Sequence, residues 1–446
     1  MQDRATERLT DIPWEGLTGV APALEAPLTE LLGGAAAERV LDRFLRSRRD
    51  LPSGARRAVA EALFGVGLWR RRLRFHVGAG APPLLLLASL LRDLAGRGDA
   101  ERLCGLANGV LPAPVPPPTG LADRYSMPDW LEVELRRACG DEAPRAADAL
   151  DLPGPVFLRA NRARVPREAL AERLAREGVE TRPTRLAPDG LEVRTPRPNL
   201  LALPSFREGL FEVQDEGSQL LGETVGARPG EVVLDLCAGA GGKALQLAAA
   251  VGPEGEVHAC DPDASRLDRL RTRASRAGAR VVLHGATPPP DLRADRVLVD
   301  APCSELGALR RGPDQRFRID PGTFPALPAL QLEILEVASR HVRPGGRLVY
   351  ATCTFRREED DEVALAFGAA HPDFTDSDTL PGATDPDGRL RLWPHRHGTD
   401  GFFAAAWSSC PDYAESSARS RARARTSSSE VSQEHMRRAP PQPMKS

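Results

Sequence analysis

The chain has 446 residues with 60 basic and 62 acidic side chains, a formal charge of −2, and a length that exceeds one ordinary core, so two or three domains are expected. A balance this close to neutral gives no global field to draw in nucleic acid, and any basic surface for it must be local. The 7 cysteines are odd in number and form no Cys-x-x-Cys pair, which argues against a disulfide framework or a zinc site and for a reducing compartment.

The N-terminus, Met1-Gln-Asp-Arg-Ala-Thr-Glu-Arg8, is too charged for a secretory signal, and the apolar run from Pro83 to Leu91 is too short to cross a bilayer. A cytoplasmic monomer with no membrane partner is expected. Residues 1–112 show apolar positions at helical spacing in Ala37 to Leu45 and Ala58 to Trp69, which predicts a helical domain. Inside it, Arg70-Arg-Arg-Leu-Arg-Phe75 reads as a solvated helix end, or else as a patch for phosphates. Leu111-Pro-Ala-Pro-Val-Pro-Pro-Pro-Thr119 cannot hold a helix and reads as a stiff linker that keeps the N-terminal part away from the rest.

Residues 120–205 then alternate: a helix from Pro128, a strand at Pro155 to Asn161, a helix from Pro166 to Glu177 and a strand from Gly190. This predicts a small α+β module. Arg159 and Asn161, at a strand end, are read as surface polar residues or as RNA contacts. Residues 206–408 predict an α/β domain with a mostly parallel sheet and helices on both faces. Its strands are expected at Val232 to Asp235, Gly255 to Asp261, Ala279 to Leu283, Asp295 to Asp300 and Gly346 to Thr352, with helices at Ala264 to Ala277 and Ala326 to Val342. From residue 409 on, Arg419, Arg421, Arg423 and Arg425 alternate with Ser and Ala, a tail with too few apolar residues to fold, read as a solvated tail or else as a loosely held RNA-contacting arm.

The centre of the α/β domain is Val232-Val-Leu-Asp-Leu-Cys-Ala-Gly-Ala-Gly-Gly-Lys243. A β-branched run breaks into a glycine turn and a helix, so the backbone can approach a ligand and the helix N-terminus can offer N–H groups to it. Asp261 ends the second strand about twenty residues on, where a carboxylate meets ribose hydroxyls; it also suits a cap for the following helix. Asp300-Ala-Pro-Cys-Ser304 and Ala351-Thr-Cys-Thr354 put two thiols at the ends of the fourth and fifth strands. In the doubly wound order those strands are neighbours, and turn positions suit reactive rather than buried cysteines.

These motifs, with Gln214-Asp-Glu-Gly-Ser-Gln219, Gln331, Pro344-Gly-Gly, Glu358-Glu-Asp360, Pro394-His and Asp400-Gly-Phe-Phe403, resemble the RNA cytosine-5 methyltransferases of the RsmB/Nop/Sun family. The helical N-terminus is similar to the NusB-like domain of the bacterial RsmB branch, and the α+β module to that branch's RNA-binding module. The resemblance implies a Rossmann-like domain using S-adenosylmethionine to methylate carbon 5 of a cytosine in RNA, 16S ribosomal RNA being the expected substrate. It also implies Cys353 as the nucleophile and Cys303 as the thiol assisting release, with Asp300 and Lys243 beside them. The cofactor would be held by Cys237, Ala238, Gly239, Ala240, Gly241, Gly242, Lys243, Asp261, Arg266 and Asp300, and no metal is implied.

The chain departs from the family pattern at Gly239-Ala240, Ala244, Gly285 and Glu305-Leu306. Gly285 stands where an acid would hold the adenine. A DNA cytosine methyltransferase is disfavoured by the Thr-Cys turn, and an N6-adenine enzyme by the lack of an Asn/Asp-Pro-Pro-aromatic turn. The remaining alternative is a non-catalytic RNA-binding or ribosome-assembly factor with a decayed cofactor pocket.

Overall fold

The computed structural model describes residues 4–380 and 385–411, so the Ser/Arg-rich tail lies outside the described residues. Two compact units are present. The first takes the described residues of Met1–Gly154, Ala308–Thr323 and Pro394–His397, and the second those of Pro155–Gly307, Phe324–Trp393 and Gly398–Ser446. No helix among the described residues is long and apolar enough to cross a membrane.

The first unit is helical, as its apolar spacing predicts. Its longer helices are α1 (Glu25–Leu32), α2 (Ala37–Ser47), α3 (Ser53–Val77), α4 (Pro83–Ser89), α5 (Asp129–Cys139) and α6 (Ala143–Asp151). Val40 and Phe44, one turn apart on α2, pack with Leu28, Leu31, Leu63, Val66, Trp69 and Leu86 in one core. Helix α3 stops at Gly78, whose φ of 95° ends the helical path.

Two expectations for this unit are corrected. The arginine run is not a simple solvated end, since two of its members are packed inside the unit. Arg70 and Arg72 are buried, and Arg70 lies 4.5 Å over the Phe317 ring. Arg71 donates to Asp123 Oδ1 at 2.6 Å and to the Met127 carbonyl at 3.0 Å, because residues C-terminal to the proline stretch fold back onto α3. For the same reason Leu111 to Thr119 does not separate two bodies. It joins segments of one unit, and the helices from 129 to 151 belong with the N-terminal helices.

The second unit begins with a four-stranded sheet of β1 (Phe157–Ala160), β2 (Thr181–Pro183), β3 (Gly190–Val193) and β4 (Phe211–Val213), in the order β2-β3-β1-β4. Helix α7 (Arg167–Arg176) connects β1 to β2 and closes the core through Leu170 and Leu174. All pairings are antiparallel, so the expected alternation is real while no parallel β-α-β pair forms. The sheet takes its last strand from beyond the expected boundary at 205, since Phe211 pairs with Ala160. Helix α8 (Glu216–Thr224) follows, capped by Asp215, which accepts from the Gly217 N–H.

The large sheet has the path β10-β12-β9-β8-β5-β6-β7, with β11 paired to β12. Its elements are β5 (Val232–Asp235), α9 (Gly242–Val251), β6 (Glu256–Cys260), α10 (Ala264–Ala277), β7 (Val282–His284), β8 (Ala294–Asp300), α11 (Leu327–Ser339), β9 (Val342–Thr352), α12 (Asp361–Ala370), β10 (Phe374–Ser377), β11 (Leu390–Leu392) and β12 (Phe402–Ser409). β5 to β9 run parallel, while β12 is antiparallel to β9. Alternating side chains serve opposite faces: Leu234, Val297 and Val299 pack with α11 and α12, and Val233 and Leu298 with α9 and α10. From β5 the chain winds outward through β6 and β7 and then returns to start β8 on the other side of β5. The carboxyl ends of β5 and β8 therefore flank the switch in winding direction, where α/β sheets bind ligands.

Candidate active site

Beyond β5 the chain turns through Leu236 to Gly241 before α9 begins. Gly239 and Gly241 have φ of 55° and 87°, and a Cβ on Gly241 would lie 2.0 Å from Leu270 Cδ1 of α10. Only glycine permits that backbone at that approach. Asp261 fastens the turn, its Oδ2 accepting the Gly239 N–H at 2.9 Å and its Oδ1 the Asp263 N–H at 2.8 Å. The cap of α10 is Asp263 rather than Asp261, because Asp263 accepts the Ser265 N–H. Arg266 lies 3.9 Å from Asp261 Oδ2 and 3.6 Å from Asp263 Oδ2.

Two arginines grip the turn's carbonyls, a role absent from the sequence reading. Arg273 of α10 donates to the Ala240 carbonyl at 2.6 Å, and Arg159 of β1 donates to the Gly242 carbonyl at 2.7 Å. Arg159 also bonds to Gln214 and, at 3.3 Å, to Gln246. Asn161 donates to the Gly209 and Ala277 carbonyls at 2.9 and 3.0 Å. Arg159 is buried rather than a surface group, and both residues tie the small sheet to the larger domain. Burial brings the Arg159 guanidinium down to about 10, which still leaves it charged at neutral pH.

The floor of the turn is acidic. Asp235 is 1% exposed, and burial followed by the charge of Asp300 pushes its carboxyl up to about 7. Neither of its oxygens has a well-formed hydrogen bond among the described residues, and the Lys243 charge, followed by the Cys237 N–H, opposes the rise without cancelling it. Lys243 Nζ donates to Asp300 Oδ2 at 2.6 Å. Asp235 thus lies in the field of Asp300, Asp261 and the Lys243 ammonium, while Asp261 has Arg266 beside it. Carboxylates under an open backbone turn suit a ligand bearing positive charge.

The turns after β8 and β9 bring the two thiols together. The Ala301 N–H bonds to the Ala351 carbonyl and the Gly307 N–H to the Cys353 carbonyl, each at 2.9 Å, while Ser304 Oγ and Thr354 Oγ1 are 2.7 Å apart. The Cys303 and Cys353 sulfurs stand 3.5 Å apart. Cys303 is buried and Cys353 half-buried. The hydrogen bond to Cys353 and then burial push the Cys303 thiol well above the usual range, so Cys303 holds its proton against the neighbouring sulfur. Cys237 lies in the glycine turn with its thiol raised by burial. Of the departures, Gly285 leaves open space where a side chain would stand, and Glu305 takes a left-handed φ of 57° just after the Pro-Cys turn.

A family model described as 16S rRNA methyltransferase RsmB/F matches residues 224–408, and one described as a RsmF/B-like ferredoxin-like domain matches residues 127–199. The chain is 36% identical over 301 residues to the probable ribosomal RNA small subunit methyltransferase B of Bacillus subtilis, covering 64% of this chain and 66% of that protein. It is 30% identical over 404 residues to the protein of the same description from Synechocystis, covering 84% and 89%. Among solved structures, PH0851 superposes with a TM-score of 0.71 at 24% identity, covering 89% of this chain and 99% of that one. A methyltransferase homolog from Pyrococcus horikoshii superposes with a TM-score of 0.57 at 25% identity, covering 65% and 97%.

Proposed function

Because the chain belongs to the RsmB/F family of ribosomal RNA small subunit methyltransferases, we propose that it methylates carbon 5 of a cytosine in 16S ribosomal RNA through a covalent adduct with Cys353. The observation that carries this reading is the 3.5 Å separation of the Cys303 and Cys353 sulfurs beside the glycine turn. When bound, S-adenosylmethionine supplies a methyl group on a positively charged sulfur. Cys237 to Lys243, Asp261, Arg266 and Asp300 would hold it, and Asp235 provides a further buried carboxylate for its positive charge.

Carbon 5 of cytosine is a weak nucleophile. Addition of the Cys353 thiolate to carbon 6 makes carbon 5 electron-rich, and after transfer the loss of the carbon 5 proton expels Cys353. Cys303, holding its proton beside the same sulfur, assists that release. Asp300, steadied by Lys243, is the polar group for the cytosine edge or for the cofactor.

The test uses full-length protein with RNA and S-adenosylmethionine on denaturing gels. Cys353→Ala is expected to abolish methylation and adduct alike, whereas Cys303→Ala methylates once and stays bonded to its RNA. A retarded species in Cys353→Ala would reverse the roles. A non-catalytic RNA-binding factor is favoured by one feature, the missing side chain at Gly285. Calorimetry showing no S-adenosylmethionine binding would select that reading.

A further inference from the structure

Glu359 is 0% exposed, and it lies on neither thiol turn. Its Oε2 accepts the Ser304 N–H at 2.9 Å and the Gln331 side-chain amide at 3.1 Å. The same amide of Gln331 donates to the Pro302 carbonyl at 2.9 Å, so both flanks of Cys303 are held from one carboxylate. Glu359 Oε1 accepts from Arg356 at 3.2 Å, and Arg356 is fixed over the Phe324 ring at 4.7 Å. The Glu359 carbonyl accepts the Tyr350 hydroxyl of β9 at 2.5 Å. The next residue, Asp360, accepts the Thr352 hydroxyl at 2.6 Å, directly before Cys353.

A buried carboxylate contributes little to stability when packing alone is needed, since a leucine fills similar space without desolvating a charge. Here its Oε2 takes the Ser304 N–H directly and reaches the Pro302 carbonyl through the Gln331 amide. We propose that Glu359 is the positioning residue of the two-thiol site: it fixes the Pro302-Cys303-Ser304 turn against the Thr352-Cys353-Thr354 turn, and so sets the meeting of the two sulfurs. Its negative charge, together with that of Glu305, also helps keep the proton on Cys303. The inference deepens the reaction proposed above and rests on it for its catalytic meaning, while its geometric content does not need that reaction.

The experiment is Glu359→Gln in the full chain, read by iodoacetamide labelling with mass-spectrometric assignment of each cysteine, and by methyl-transfer kinetics on 16S RNA. In wild type, Cys353 is expected to label ahead of Cys303. The variant should lower that preference by about ten-fold and lower kcat by about ten-fold or more with KM for RNA and S-adenosylmethionine unchanged, as expected when reacting groups lose alignment. Gln331→Leu, which removes the amide that links Glu359 Oε2 to the Pro302 carbonyl, should move the labelling ratio the same way by a smaller factor, and it decides the matter if Glu359→Gln does not fold. An unchanged ratio in a folded variant overturns the proposal, whether or not the chain methylates RNA. A shifted ratio in a protein whose wild type leaves RNA unmethylated upholds the positioning role and overturns the reaction instead.

Discussion

Asp235→Asn should make the protein more stable and poorer at binding its methyl donor, with a pH dependence that identifies the cause. In the fold the Asp235 carboxyl titrates at about 7, against an ordinary value of 3.8. The folded state therefore holds a proton that the unfolded chain has lost between those values, and stability contributed by the protonated group falls as pH rises through the window. About three pKa units at about 1.4 kcal/mol each give an upper bound of about 4 kcal/mol, reached above pH 7 and reduced by any relaxation around the charge. Asparagine keeps the shape without the charge. Urea denaturation of both proteins should give nearly equal stability near pH 4 and a gap in favour of the variant that grows to a few kcal/mol near pH 8, while calorimetry shows weaker S-adenosylmethionine binding. Taking the difference between the two proteins cancels other titrations, such as that of the buried Asp360. A gap independent of pH, or a variant less stable than wild type at pH 8, would refute the assignment of a strained carboxylate to this position.

Lys243→Met removes the ammonium that lowers the Asp235 value, so in that background the pH window should extend upward, as the same denaturation series would show. Gly241→Ala should cost about 3 kcal/mol, from the left-handed backbone and the clash with Leu270 together, measurable as a lower urea midpoint. Arg159→Leu takes a charged donor from the Gly242 carbonyl and from the Gln214 and Gln246 side chains and should cost about 3 kcal/mol, with weaker donor binding by calorimetry; Arg159→Lys should not restore it, because an ammonium cannot reproduce the guanidinium fork.

What the sequence made legible was local. Periodicity places α2, α3 and α10 because one helix face repeats within a few residues. The glycine turn and the two Cys turns are visible because their backbone requirements are written in adjacent residues. The strand order follows from general winding rules, and it is the pairing of Asp300 with Ala351 between β8 and β9 that turns two separate motifs into one pair of thiols. Boundaries were less legible. The third strand begins at Val282 rather than Ala279, because Gly278 stops α10 in the left-handed region and the following residues are used in leaving the helix.

What stayed hidden depends on partners far away in the chain. Arg70, Arg72, Arg159 and Asn161 read as surface groups because charge and polarity alone predict exposure. The bonds that hold Arg159 and Asn161 reach as far as Gln246 and Ala277, and no spacing rule announces them. The error had one direction: Arg70, Arg72, Arg159 and Asn161 all hold partners inside the fold. The small sheet, through Arg159, and α10, through Arg273, hold the glycine turn by its carbonyls. On that argument the small sheet also sets the shape of the donor cradle, and loosening it should reach the donor site before it unfolds the large sheet.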